Sequence, residues 1–285
     1  MKKLSIRIMI AVLAVVMVTG CNKKKKELAK NNALDSNDAE DMFSEVFNEV
    51  NSTSNDIEDE QFKAKMALKN PNYTSILDLD SSCATWYYHV DTSGSQDFFD
   101  SISITFNNCT RNGKVWDGTI SWTKNGRWNV VGTKTIVTPS ELTIEGNKLE
   151  FTKTITTTAA QVQWFPTIDI ELSFNIEVAG GKVTMADGRV LTWESSRTYS
   201  FVWNTLFTIY FEVTGSASGT NRNGEAFSTT ITKPLKWKLL CFHPVQGTFE
   251  HVTPEMKVTV DLGSGTCNSE ATYSINGKKA KDFTL

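Results

Sequence analysis

The chain has 285 residues, a formal net charge of −3, 40% apolar residues and 21% charged residues. This composition is sufficient for a sizeable core and differs from that of a disordered protein. The near-neutral charge excludes a strongly basic nucleic-acid-binding protein, and no apolar run reaches the roughly 18 residues that a membrane-spanning helix needs. We therefore expect a folded chain with no nucleic-acid partner.

Residues 1–20 have the pattern of a secretory signal peptide. Three basic residues occur among the first seven, and residues 8–18 are eleven consecutive apolar residues, too few to span a bilayer. The following Val18-Thr19-Gly20-Cys21 resembles the lipobox of bacterial lipoproteins, in which the cysteine thiol is diacylated and becomes the new N-terminus. The resemblance implies lipidation of Cys21, with palmitate-type chains that anchor the protein in a membrane. An ordinary signal peptide with an incidental cysteine is the alternative.

Residues 21–35 form a predicted lipid-anchored linker. Lys23, Lys24, Lys25 and Lys26 lie beside the expected anchor. They can contact anionic headgroups, at about 1 kcal/mol per charge, or belong to a solvated linker. We expect a cell-envelope protein at the outer membrane. It can face either the periplasm or the cell surface, and the sequence leaves both locations open.

Residues 36–60 are predicted to form an acidic amphipathic helix and a second linker. The stretch 35–60 contains ten acidic residues and no Lys or Arg. Its apolar residues recur at helical spacing: Ala39, Met42, Phe43, Val46, Phe47 and Val50. Such a stripe predicts a helix that docks on its own domain. A partner-binding helix is the alternative, and the acidic polar face disfavours a membrane-surface helix.

Residues 73–285 are predicted to form an antiparallel β domain. In residues 167–178 six apolar residues alternate with polar ones, which indicates a long strand with one solvent-facing side. Similar alternation occurs at 102–106, 115–122, 148–155, 199–213 and 257–262. Turns are predicted at Asn112-Gly113, Asn125-Gly126, Gly180-Gly181, Asp187-Gly188, Asn223-Gly224 and Asn276-Gly277, and a bulge at Asp117-Gly118. The predicted fold class is all-β: a long-stranded antiparallel sheet, as an elongated sandwich or open barrel, with one N-terminal helix.

Four cysteines remain after Cys21, namely Cys83, Cys109, Cys241 and Cys267. An even number in an exported chain indicates disulfides, for which three pairings are open. The separation is 26 residues in both the first and the last pair, and this symmetry favours 83–109 and 241–267. The two units are interpreted as duplicated hairpins at opposite ends of the sheet.

Short motifs in the second half of the chain complete a family resemblance. They are Asp187-Gly188-Arg189, Thr192-Trp193, Arg197-Thr198, the run from Val260 to Cys267, and Ile275-Asn276-Gly277. Together with the lipobox, the acidic helix and the cysteine-bounded hairpin, they resemble the uncharacterised β-rich envelope lipoproteins of Bacteroidota. The resemblance implies an envelope location and supplies no catalytic residues.

The chain contains few residues that could perform catalysis or bind a metal. We predict no catalytic residue, no metal and no cofactor, because common catalytic and metal-binding motifs are absent from the sequence. His243 and His251 are interpreted as exposed residues set opposite each other by a hairpin turning at Gly247. Asp169 and Glu171 share a strand face about 7 Å apart, a separation that glycosidases use.

Two tryptophans suggest a surface for sugars. Trp122 and Trp128 bracket the predicted Asn125-Gly126 turn, with Arg127 beside them. Aromatic rings with a neighbouring cation suit glycans, so Trp122, Trp128 and Arg127 are the candidate glycan-binding residues. Packing of both indoles in the core or across strands is the interpretation that we favour over glycan binding.

Three function hypotheses follow. The first is a non-enzymatic binding or structural module with a glycan or an envelope protein as partner. The second is a periplasmic carrier of a lipid or lipoprotein, with an apolar concavity lined by Ile168, Ile170, Leu172 and Phe174. The third is a glycan hydrolase that uses Asp169 and Glu171.

Overall fold

The fold is known from a computed structural model of the full chain. It describes residues 46, 83–91, 98–111, 113–163, 169–205, 208–238, 241, 243–268 and 270–284. Thirteen strands are present in these residues: β1 (Ala84–Asp91), β2 (Phe98–Arg111), β3 (Lys114–Lys124), β4 (Lys134–Ile144), β5 (Asn147–Gln163), β6 (Asp169–Thr184), β7 (Val190–Thr205), β8 (Thr208–Thr220), β9 (Ala226–Lys238), β10 (Gln246–Val252), β11 (Lys257–Ser264), β12 (Glu270–Ile275) and β13 (Lys281–Thr284).

All thirteen strands belong to one antiparallel sheet. Each strand pairs with its neighbours in the sequence, so the strand order is β1 to β13 without a crossover. The predicted all-β class and the antiparallel meander are confirmed. An elongated sandwich would consist of two separate sheets, and the described strands form a single one.

Two strand boundaries differ from the sequence prediction. Gly180-Gly181 was predicted to be a turn, but β6 continues through it with a bulge between Val178 and Gly181. The extra residue is absorbed within the ladder because glycine accepts the positive φ of 62° at Gly180. Residues 199–213, predicted as one strand, contain the end of β7 and the start of β8. The bulge predicted at Asp117-Gly118 is confirmed.

Successive connections between strands lie by turns at one end of the meander and at the other. The connections at one end, which we call the turn end, are short and polar, and those that are fully described span 145–146, 185–189, 221–225, 253–256 and 276–280. The other end, the loop end, includes the connection at 125–133 between β3 and β4. There the predicted tight turn at Asn125-Gly126 is replaced by a nine-residue loop, which Asn125 closes by bonding to Lys134.

The core lies on one face of the sheet, which we call the inner face. Its first cluster contains the largest buried side chains of β2 to β5, including Phe106, Trp116 and Trp122, and extends to β9. The second cluster joins β8 and β9 to β10, β11 and β12 through residues such as Leu235, Phe249 and Val260. Polar residues on the outer face form cross-strand ion pairs, for example Lys182 Nζ with Glu150 Oε2 at 2.7 Å. The sheet therefore has one dry face and one wet face.

Val46 is the only described residue before Cys83. It has a helical backbone, is 0% exposed and belongs to the first core cluster. The rest of the predicted helix, the signal peptide and both linkers lie outside the described residues. Within the described part of the chain, no helix has the length and hydropathy needed to cross a bilayer.

The two favoured disulfides are present. Cys83 is bonded to Cys109 and Cys241 to Cys267, with Cα–Cα distances of 5.3 and 6.0 Å. Each closes a loop with a sequence separation of 26, which stabilises the fold by about 3.5 kcal/mol in the chain-entropy model. A hairpin lies between the cysteines of each pair, β1–β2 in the first and β10–β11 in the second. The second hairpin is not terminal, because β12 and β13 follow it.

Candidate functional site

Several apolar side chains on the inner face near the loop end are only partly buried. Five of them are called the apolar ladder: Leu172, Phe174, Tyr199, Phe201 and Phe211. Trp203 and Ile209, nearer the strand ends, are also partly buried. The ladder residues lie on β6, β7 and β8, three adjacent strands that contain 16, 16 and 13 residues. Because these strands are long, the ladder is held on a rigid part of the sheet rather than on loops.

Cross-strand pairing brings the ladder residues together. Leu172 is opposite Phe201, Phe201 is opposite Phe211, and Phe174 is opposite Tyr199. The Phe211 ring lies 5.8 Å from the Tyr199 ring and 5.8 Å from that of Trp237. These distances are typical of favourable aromatic pairs, so the ladder forms a continuous apolar surface across neighbouring strands.

The ladder differs from the inner face nearer the turn end. There the side chains on β5 to β7 are closely packed, and Leu149, Val183 and Leu191 are at most 1% exposed. The carrier hypothesis predicted a surface lined by Ile168, Ile170, Leu172 and Phe174. Leu172 and Phe174 have the partial exposure that it requires, Ile170 is buried at 5%, and Ile168 lies outside the described residues.

Two cations are buried on the same face, between the ladder and the packed region. Arg197 is 5% exposed and lies opposite Ile176, two residues from Tyr199, with its guanidinium 5.7 Å from the Trp193 ring centre. Lys153 on β5 is 7% exposed. A positively charged group beside an apolar surface suits a molecule with an apolar tail and an anionic head.

The backbone opposite Arg197 explains part of this geometry. Gly215 pairs with Arg197 and has a φ of 113°, which L side chains rarely adopt. A Cβ at this position would collide with the carbonyl oxygen of Ser196. Glycine is therefore required where β8 approaches β7 beside the cation.

The histidine prediction is wrong for His251. This residue is 1% exposed, and its Nδ1 lies 2.9 Å from the Thr229 hydroxyl. Its ring stacks on Phe227 at 5.9 Å, and burial lowers its pKa to about 4. Gly247 lies within β10 rather than in a turn, so His243, in the connection before that strand, is not placed opposite His251.

The candidate glycan residues are not brought together as a surface. Trp122 is 1% exposed and packs in the first core cluster, because β3 directs it to the inner face opposite Val137. Trp128 is 49% exposed in the loop at 125–133, where Arg127 is also exposed. The alternation of β3 contains the signal for this difference, since Ile120 and Trp122 share one face.

The candidate glycosidase pair lies on the outer face at the start of β6. Asp169 Oδ2 accepts a hydrogen bond of 2.9 Å from Gln161 Nε2, and Glu171 is exposed. Both carboxylates belong to the polar side of a strand whose other side carries the ladder. Their surroundings are those of a solvated sheet surface.

A polar groove of about 810 Å³ is present beside β11 and β12. Its lining includes the carboxylates of Asp261, Glu270 and Asp282. Among the described residues, no group of three or more His, Cys, Asp or Glu side chains is arranged to hold a metal ion.

The sequence pattern does not mark Phe201, Phe211 or Arg197 as site residues. Phe201 and Phe211 alternate with polar residues within 199–213, but the pattern predicts that stretch as one strand. Dividing it between β7 and β8 places Phe201 and Phe211 side by side. The decisive signal is therefore the position of the hairpin, which no turn dipeptide marks.

No protein-family model, curated protein or solved structure matches the chain. The resemblance to Bacteroidota envelope lipoproteins accordingly stays a prediction based on short motifs. Functional conclusions for this chain depend on the arrangement of its own residues.

Proposed function

We propose that the chain is a lipid-anchored, non-enzymatic binding protein of the bacterial envelope that carries an anionic amphiphile. The acyl portion of the ligand lies on the apolar ladder, and its charged group is directed towards Arg197. The observation that supports this proposal is the partial exposure of five neighbouring apolar side chains, in contrast to the closely packed inner face nearer the turn end. Exposed apolar surface that adjoins a core is a common feature of ligand sites.

The energetics of such a site permit reversible binding. Each methylene that leaves water for an apolar surface contributes about 0.8 kcal/mol. Contact with about eight methylenes would yield roughly 6 kcal/mol, which is partly offset by the lost translational and rotational freedom of the ligand. The charge of Arg197 favours an anionic head group over a neutral or cationic one, since a buried cation is stabilised by a negatively charged partner.

The other functions have less support. A glycan surface built on Trp122 is disfavoured by the burial of that indole. Hydrolysis by Asp169 and Glu171 would require an enclosed substrate site, whereas both carboxylates lie on the polar outer face. A purely structural role would not require partly exposed aromatic residues on the inner face.

Phe201→Ser is expected to weaken binding of cis-parinaric acid, a fluorescent fatty acid, by at least tenfold. The serine removes the ring at the centre of the ladder, where Leu172 and Phe211 flank it. A tenfold change corresponds to about 1.4 kcal/mol, less than the transfer energy of one phenylalanine side chain. Fluorescence titration of the full chain with Cys21→Ser, so that no anchor competes, provides the measurement.

Val202→Ser is the matched control for that experiment. Val202 is the next residue of β7, is also partly buried, and lies opposite Glu171 on the outer face. We expect its affinity for cis-parinaric acid to equal that of the parent chain. Equal affinities in the Phe201→Ser and parent chains would contradict the proposed ligand site, provided that circular dichroism shows both chains to be folded.

The anchor is tested separately. Metabolic labelling with a clickable palmitate analogue should label the chain in a Gram-negative host, and Cys21→Ser should abolish the label. The reason is chemical, because acyl transfer requires the thiol and the amine of that cysteine. Label that persists in Cys21→Ser would contradict anchoring at this residue.

A further inference from the structure

Three large apolar side chains protrude together from the loop between β3 and β4. Trp128, Val130 and Val131 are 49%, 53% and 61% exposed. The other exposed large apolar residues among the described ones are separated along the chain: Tyr87, Val115, Ile136, Val190 and Val252. Isolated exposed residues of this kind are ordinary, but a cluster within four residues indicates an interaction surface.

The exposure of this cluster is built into the loop rather than caused by fraying. Thr157 of β5 is 3% exposed and its hydroxyl donates a 2.7 Å hydrogen bond to the Trp128 carbonyl. Gly132 donates to the Thr157 carbonyl at 2.9 Å, and the Thr157 amide donates to the Thr133 carbonyl at 2.9 Å. These bonds hold both sides of the loop on the sheet and leave its apolar side chains directed away from the core.

The charge around the cluster is of one sign. Between residues 118 and 140 the chain contains Lys124, Arg127 and Lys134 and no Asp or Glu. Arg127 and Lys134 are exposed and flank the apolar residues on both sides. A surface that joins exposed apolar tips to positive charge is complementary to an anionic bilayer, whose interior is apolar and whose headgroups are negative.

We propose that this loop docks on the surface of an anionic phospholipid bilayer. Trp128, Val130 and Val131 enter the interfacial region, where tryptophan is enriched in membrane proteins. Arg127 and Lys134 contact the lipid phosphates. The contact is independent of the acyl anchor and orients the sheet with its loop end towards the membrane.

The length of the N-terminal segment permits this orientation. Val46 packs in the first core cluster, so the reach of the anchor is set by the 25 residues from Cys21 to Val46, which span at most roughly 85 Å. Cys83 precedes β1 at the turn end, opposite the docking loop. The 17 residues of β5 cover roughly 55 Å, so a chain anchored at Cys21 can pass along the whole sheet.

The test is co-sedimentation of residues 22–285, which lack both Cys21 and the apolar segment 8–18, with vesicles of phosphatidylglycerol and phosphatidylethanolamine. The triple variant Trp128→Ser/Val130→Ser/Val131→Ser is expected to bind these vesicles at least tenfold more weakly. The charge variant Arg127→Gln/Lys134→Gln should bind severalfold more weakly, and the parent chain should lose affinity as salt rises or when the vesicles contain phosphatidylcholine alone.

The matched control is the triple variant Val115→Ser/Val190→Ser/Val252→Ser. These valines are 42%, 39% and 38% exposed, and all lie beside turn-end connections. The control should bind vesicles as the parent chain does. Failure of the parent chain to bind, equal loss in both triple variants, or a dimer that only the loop variant abolishes would overturn the proposal. The loop substitutions leave the ladder unchanged, so binding of cis-parinaric acid distinguishes this failure from failure of the proposed function.

Discussion

Replacing Trp122 with alanine is expected to lower the free energy of unfolding by about 3–5 kcal/mol. The indole is 1% exposed, and its cross-strand neighbours Ile102 and Val137 are also buried. Removing it leaves a cavity that these neighbours can fill only in part, because they belong to strands fixed by the sheet hydrogen bonds. The cost is of the same order as the total stability of many domains.

Trp128→Ala provides the matched comparison, since it removes the same side chain six residues further along. Trp128 is 49% exposed, so we expect a change within about 0.5 kcal/mol. Urea unfolding followed by circular dichroism measures both variants. Similar losses in the two variants would contradict the placement of Trp122 in the core and Trp128 in the solvent.

Acidification should destabilise the protein through His251. Its pKa falls from the ordinary 6.5 to about 4 in the folded chain, because burial disfavours the charged imidazolium. The cross-strand neighbours Thr229 and Val258 carry no charge that would stabilise that ion. Between these pH values the unfolded chain binds the proton more readily than the folded chain does.

The stability contributed by neutral His251 is therefore fully present above pH 6.5 and is lost as the pH falls towards 4. A pKa difference of this size corresponds to about 3 kcal/mol. Urea unfolding at several pH values should show a decline in the parent chain that exceeds that of His251→Gln by about this amount. Parallel pH profiles in the two chains would contradict the buried, neutral histidine.

Sequence alternation predicted the sheet correctly because each strand has one dry and one wet side. In residues 169–178, the described part of the alternating run 167–178, the apolar residues mark the inner face of β6, and the polar residues that alternate with them lie on its outer face. The equal spacing of the cysteines predicted both disulfides for a related reason, since each pair brackets one hairpin. Such signals are local and can be read from a single stretch of chain.

The candidate site could not be predicted in the same way. The pairing of Phe201 with Phe211 depends on where β7 ends and β8 begins, and the two residues between these strands, Leu206 and Phe207, include no Gly or Asn. Gly180-Gly181 looked like a turn but lies in a bulge, because glycine serves both structures equally well. The exposure of Trp128 likewise depends on hydrogen bonds to Thr157, 29 residues away in the sequence.

The two proposed surfaces are related by their position in the sheet. Leu172, Phe201 and Phe211 lie three or four residues from the loop-end termini of β6, β7 and β8. The docking loop, residues 125–133, lies at the same end. Docking through this loop would bring the ladder close to the bilayer, where an amphiphile could enter or leave without crossing much water. This arrangement suits a carrier that exchanges its ligand at a membrane.

Native mass spectrometry tests the central claim most directly. The full chain carrying Cys21→Ser would be isolated gently from the envelope fraction of a Gram-negative host. We expect a discrete excess mass that tandem fragmentation identifies as an anionic acyl lipid, and we expect Phe201→Ser to lose it while Val202→Ser retains it. An oxidised, folded chain without excess mass, or an excess mass unchanged by Phe201→Ser, would contradict the binding of an amphiphile on the ladder.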